Sequence, residues 1–205
     1  MSPTSKQPPR GDDVISAANL GNEIMLFRVS GLGNMRNALP LADFAEASFK
    51  KGIRRFAIDL ADCQGMDSTF MGTLVGMAQA VRGLPQEGMV CLTNVSSANR
   101  ELLEIVGADT FFVMDAKLPV TGSLEMVPLP NVQMSSERRL RLVHKAHENL
   151  AEINQYNERQ FGAILKSMTA ELDRKAAESG LFESLGEESG KDDAAKDSGK
   201  KNGGA

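Results

Sequence analysis

Short apolar segments alternate with amphipathic ones between residues 54 and 114, and this alternation restricts the chain to few folds. RRFAIDL, GMVCLTN and TFFVM (residues 54–60, 88–94 and 110–114) have the length and composition of buried strands. The two segments between them, residues 68–83 and 96–107, begin at serine and end at glycine, as helices often do. Strand–helix–strand connections of this kind are right-handed, so both helices are expected on one face of the sheet.

Two more strands and a helix are predicted before this alternation. The segments VISAAN and EIMLFRV indicate a hairpin with a turn near Gly21 and Asn22. PLADFAEASFKKG predicts a helix, because Pro40 suits a first turn and Gly52 a helix end. We therefore predict an α/β domain over residues 13–118, in which a small mixed β-sheet carries helices on one face.

Residues 135–178 predict one long amphipathic helix. The segment contains no proline and a single glycine, and its apolar residues recur in steps of three and four, as in a coiled coil. The predicted seam consists of Leu140, Val143, Leu150, Phe161, Ile164 and Met168, with His147, Asn154 and Asn157 as polar members. Two arrangements are open, packing on the sheet domain or pairing with a second copy or a partner, and we favour pairing, for example as a homodimer.

The remaining segments have the composition of linkers and tails. Residues 1–12 are rich in proline and polar residues, and residues 179–205 are charged and of low complexity, so we expect both to be disordered. Residues 119–134 contain three prolines and are predicted to be a linker. The N-terminus lacks the apolar core of a signal peptide, and no apolar run approaches the ~20 residues that span a bilayer. These features predict a cytoplasmic protein with no direct membrane insertion.

Composition argues against several classes of function. The net charge of −4, the pI near 5.3, the single tyrosine and the absence of tryptophan argue against nucleic-acid binding. No histidine precedes His144, which excludes a Ser-His-Asp arrangement within the sheet domain. His144 and His147 have a spacing that could place both on one helix face, but no third metal ligand is evident. We predict no enzymatic activity, no cofactor and no metal.

The junction between the third strand and its helix, FAIDLADCQGMDSTFMGTLVG, carries more polar groups than a helix start needs. Considered as structure alone, Ser68 is the N-cap, a role worth ~1 kcal/mol. The stretch also resembles the anti-sigma factor antagonist branch of the STAS domain family, in which a strand runs into Met-Asp-Ser-(Ser/Thr)-Gly-(Leu/Val)-Gly. Residues 66–69 match this pattern and Gly72 is in register, while Phe70 stands where most members carry glycine. The resemblance extends over roughly residues 14–118.

The resemblance implies a STAS-type fold and a phosphorylation switch. The residue after the aspartate is the phosphoacceptor in that family, which implies Ser68, with Thr69 as second choice. The unphosphorylated protein would bind an anti-sigma factor, often itself a serine kinase of the histidine-kinase-like ATPase class. Phosphorylation would end the interaction, and a metal-dependent serine phosphatase would reset it. The expected contact residues are Asp62, Met66, Asp67, Ser68, Thr69, Phe70, Met71 and Gly72.

Two other functions remain open from the sequence. STAS domains also serve as subunits of membrane transporters, including lipid ABC transporters, where they bind the permease without phosphorylation. Alternatively, the coiled-coil-like segment could make the protein a scaffold that only displays the domain.

Overall fold

The computed structural model describes residues 13–21, 23–82, 88–118, 124–130 and 132–189. Within them the strands are β1 (Val14–Gly21), β2 (Ile24–Gly33), β3 (Arg55–Met66), β4 (Met89–Thr93), β5 (Val113–Met114) and β6 (Val127–Pro128). The α-helices are α1 (Met35–Lys50), α2 (Ser68–Arg82), α3 (Ser97–Ile105), α4 (Ser136–Ala151) and α5 (Gln155–Ser189). A 3-10 helix over Ala108–Phe111 precedes β5. The predicted disorder of residues 1–12 and 190–205 falls outside the described residues.

The strands form one mixed sheet in the order β5-β4-β3-β2-β1-β6. β1 and β2 form the predicted antiparallel hairpin, while β2, β3, β4 and β5 pair in parallel. The main core lies between the sheet and the helices, where Phe27, Phe56 and Ile58 meet Phe70 and Leu74 of α2. The predicted α/β fold with helices on one face is confirmed.

The opposite face of the sheet is covered by the end of the predicted domain and by part of the segment predicted to be a linker. Leu26, Ala57 and Cys91 point to this face and pack against partly buried residues on either side of residues 119–123, namely Ala116, Leu118, Leu124 and Met126. The segment then forms β6, which pairs with the outer side of β1. A linker over the whole of residues 119–134 is therefore the wrong description, because part of it belongs to the sheet. We call residues 116–118 and 124–130 the strap.

The single helix predicted over residues 135–178 is in fact two helices, α4 and α5. The break falls at residues 152–154, where the side chain of Asn154 accepts a hydrogen bond from the Asn157 N–H at 2.9 Å. An asparagine bonded in this way is an N-cap, so Asn154 begins a new helix rather than a polar position in a continuous seam. α5 continues to Ser189, so residues 179–189, predicted to be disordered, are helical.

Candidate functional site

The N-terminus of α2 is capped by Asp67. Its Oδ1 accepts a hydrogen bond from the Phe70 N–H at 2.8 Å, and its Oδ2 accepts one from the Met35 N–H at 3.0 Å. One carboxylate thus binds free N–H groups at the starts of both α1 and α2, where the helix dipoles favour a negative charge. The prediction that Ser68 is the N-cap is wrong, because Asp67 takes that role and Ser68 is the first residue of the helix.

The hydroxyl of Ser68 is therefore free for another contact, and it makes one with α4. Its Oγ lies 2.9 Å from Nε2 of His147, across 79 positions of sequence. Ser68 itself is half-buried, whereas the imidazole of His147 is only 7% exposed. Sequence reasoning missed His147 as a neighbour of the junction, since nothing in the spacing of the two residues brings them together.

Most of the other predicted contact residues are not on the surface. Met66, Thr69, Phe70, Met71 and Gly72 are buried, and Phe70 is fully so. Phe70 and Met71, which are among the expected contact residues, therefore belong to the core in this arrangement of the chain. Asp62 and Asp67 are exposed, so the accessible part of the predicted surface is acidic.

The glycine pattern explains how Phe70 is accommodated. A Cβ built on Gly33 would lie 2.6 Å from Cδ1 of Phe70, closer than real contacts allow. Gly33, at the end of β2, therefore makes the space that the Phe70 ring fills. The residue that departs from the family pattern is thus a core residue.

α4 packs closely on α2 directly after the junction. A Cβ on Gly72 would lie 2.1 Å from the carbonyl oxygen of Ala146, and one on Gly76 would lie 2.4 Å from Nδ2 of Asn149. The Asn149 amide donates a hydrogen bond to the Gly72 carbonyl at 2.9 Å, and this bond is buried. Leu150 completes the contact as a fully buried member of the main core. These contacts show that α4 packs on the sheet domain. This is the first of the two arrangements that the sequence leaves open, and not the pairing favoured above.

α5 turns back along α4, so the predicted seam closes largely within the chain. Phe161 stacks on His147 with ring centroids 4.8 Å apart, and Asn157 is fully buried and donates to the carbonyls of Val106 and Leu150. Of the predicted seam, Leu150 is buried and Leu140, Val143, Phe161 and Met168 are half-buried. Ile164 is 41% exposed, although the sequence places it in the seam. We call α4 and α5 together the helical hairpin.

His147 occupies an unusual environment for an imidazole. Burial lowers its pKa below the ordinary value, an effect opposed by the nearby Asp67 carboxylate and reinforced by His144. Its Nδ1 is buried and has no hydrogen-bond partner among the described residues. A Ser-His pair used in catalysis needs an acid that orients the second ring nitrogen, and the Asp67 carboxylate is instead bound to backbone N–H groups.

The two histidines do not form a metal site. His144 Nε2 lies 2.9 Å from Oγ1 of Thr169 on α5, whereas His147 faces Ser68. No cluster of three or more histidine, cysteine or acidic side chains suited to a metal occurs in the part of the chain that the structure describes. None of the described helices is long and apolar enough to cross a membrane.

Comparisons with known proteins identify the family of the sheet domain. The family model of the STAS domain matches residues 17–121, and no curated protein sequence matches the chain. The anti-sigma factor antagonist SpoIIAA in its unphosphorylated form is similar in structure, with 14% identity, a TM-score of 0.45, and coverage of 50% of this chain and 89% of that one. An anti-sigma factor antagonist from Mycobacterium paratuberculosis has 18% identity, a TM-score of 0.45, and coverage of 55% and 92%. The family match ends before the helical hairpin begins.

Proposed function

Because the chain belongs to the STAS domain family, we propose that it works as an anti-sigma factor antagonist whose binding is switched at Ser68. The unphosphorylated protein binds an anti-sigma factor that is also a serine kinase of the histidine-kinase-like ATPase class, and so regulates transcription in the cytoplasm. Phosphorylation of Ser68 ends the interaction, and a serine phosphatase reverses it.

The observation that carries the proposal is that Asp67, and not Ser68, caps α2. Asp67 supplies the cap of α2, so the Ser68 hydroxyl at the first position of the helix has no structural duty in α2 itself. The unpaired N–H groups and the dipole of a helix start tolerate an anion, so the fold can survive a phosphate there. Thr69 is 6% exposed, which favours Ser68 as the acceptor.

Phosphorylation would change the accessible surface strongly. It adds about 1.5 to 2 negative charges at Ser68. Asp62 and Asp67 already make this surface acidic, and a partner fitted to a neutral hydroxyl beside them would meet a bulky dianion. The switch would therefore act on binding.

Mass spectrometry of the protein from its native cells tests the proposal. The tryptic peptide of residues 56–82 contains Ser68, Thr69 and Thr73 as its only hydroxyl side chains. We expect a phosphate on Ser68 whose occupancy differs between growing and stressed cells. A peptide without phosphate in every condition would refute the switch.

Affinity purification with charge variants tests the consequence for binding. Ser68→Ala should retain the anti-sigma factor and Ser68→Asp should lose it. Ser97 provides a matched control, because it is also the first residue of a helix and is exposed, with Ser96 as its N-cap. Ser97→Asp should bind as the unchanged protein does.

One observation favours the alternative, a transporter subunit that needs no phosphorylation. The Ser68 hydroxyl already has a partner within the chain, His147 at 2.9 Å. In that case Ser68→Ala and Ser68→Asp would co-purify with the same membrane complex.

A further inference from the structure

The contact between Ser68 and His147 connects the junction to the helical hairpin. The two side-chain atoms are at hydrogen-bonding distance, 2.9 Å, which leaves no room for a phosphate between them. The imidazole cannot easily turn aside, because Phe161 of α5 stacks on it at 4.8 Å. A group added to Ser68 Oγ must therefore displace the ring or turn away from it.

Either response removes what holds the ring in place. His147 is 7% exposed, and its Nδ1 already lacks a partner among the described residues. If Ser68 turned away, Nε2 would lose its bond as well, and a buried polar group without a partner is costly. If the ring moved instead, the backbone of α4 would have to follow it.

A displacement of His147 would disturb the contacts that dock α4 on α2. His147 directly follows Ala146, whose carbonyl oxygen lies against Gly72, and precedes by two positions Asn149, which donates to the Gly72 carbonyl. These contacts are too close to accommodate a shift of the helix. The phosphate itself is favoured where it is, since the start of α2 offers N–H groups that Asp67 does not bind.

We propose that the docking of the helical hairpin reports the state of Ser68, so that a phosphate on this residue undocks α4 from α2. The unphosphorylated chain is then closed, with α4 held against α2. The phosphorylated chain is open, with the face of α2 beside Gly72 and Gly76 uncovered. The inference rests on the proposed phosphorylation of Ser68 and explains how a local charge would alter a large surface.

Hydrogen exchange on full-length protein with phosphoserine installed at position 68 during synthesis tests the inference without any kinase. We expect amide exchange in α4 to rise by at least about tenfold, the effect of losing one buried hydrogen bond. Exchange in β3 should rise less than in α4, because the backbone of β3 is hydrogen-bonded to β2 and β4 and not to the hairpin. Phosphoserine at position 97, at the start of α3, is the matched control and should leave α4 protected.

A second variant keeps the test specific to His147. His147→Ala opens space beside Ser68, so phosphoserine 68 in this background should add little to the exchange of α4. An equal rise in both backgrounds, an unchanged or slower exchange of α4, or a loss of protection as large in β3 as in α4 would each overturn the inference. Because the phosphate is installed directly, its absence from native cells would refute the proposed function and not this response.

Discussion

The two helices of the hairpin differ in how they are held, although their sequences looked alike. α4 buries Ala146, His147, Asn149 and Leu150 against the sheet domain, whereas Asn157, in the first turn, is the one buried residue among the described side chains of α5. The other side chains described in residues 155–178 pack on α4 or face solvent, with ion pairs such as that of Arg174 with Glu171 at 2.7 Å. α4 is therefore a layer of the domain, while α5 over residues 155–178 packs mainly on that layer.

The largest effect is expected from Leu150→Ala. Leu150 is fully buried in the main core, so truncation leaves a cavity and should lower the free energy of unfolding by about 2–5 kcal/mol. Ile164→Ala on α5 is the matched control, because Ile164 is 41% exposed. Urea denaturation followed by circular dichroism measures both. Equal losses would break the distinction between the two helices.

A smaller effect is expected from pH, through His147. Burial holds the pKa of His147 below the ordinary value of 6.5, and His147 in the unfolded chain keeps that ordinary value. Between the two pKa values the unfolded chain therefore binds more protons than the folded chain. The contribution that neutral, buried His147 makes to the free energy of unfolding is therefore fully present above pH 6.5. It is lost as the pH falls through the folded-state pKa of His147. Hydrogen exchange of α4 should accelerate as the pH is lowered, after correction for intrinsic rates.

Two variants sharpen this pH prediction. His147→Gln should flatten the dependence, whereas His144→Gln, the change at the other histidine of the chain, should keep most of it. If both variants retained the full dependence, another titrating group would be responsible.

The smallest effect is expected from Arg174→Ala in the second half of α5. Arg174 pairs with Glu171 and Glu178, but all three are solvent-exposed in part, and such pairs contribute little. We expect a melting temperature within error of the unchanged protein. A clear decrease would mean that distal α5 is held as firmly as α4.

The sequence was informative where the local pattern decides the structure. The order of strands and helices up to β5 and the position of Asp67 and Ser68 between β3 and α2 followed from periodicity and end signals. The cap of α2 is Asp67 and not its neighbour Ser68, because Asp and Ser are both good N-caps and the backbone geometry decides between them. The three- and four-residue periodicity places Asn154 in the predicted seam, although its side chain caps α5.

What the sequence could not supply were contacts between distant segments. The pair Ser68 and His147, the strand β6, and the fit of Phe70 over Gly33 each depend on tertiary packing. Gly72 and Gly76 were the available signal for the docking of α4, since two glycines four positions apart on a helix allow close approach of another backbone. The family pattern accounts for Gly72 alone and predicts no packing partner for either glycine.

The strap has a consequence for any partner that competes with the hairpin. The Leu129 N–H donates to the Ile15 carbonyl at 2.8 Å, so the chain is fixed to the sheet edge only a few residues before α4 begins at Ser136. A segment on so short a tether has an effective concentration of about millimolar at its own site. An undocked α4 would therefore recapture α2 quickly, and a free competitor at cellular concentration would seldom hold that surface. A covalent mark that persists between encounters would suit such a system better than a soluble ligand.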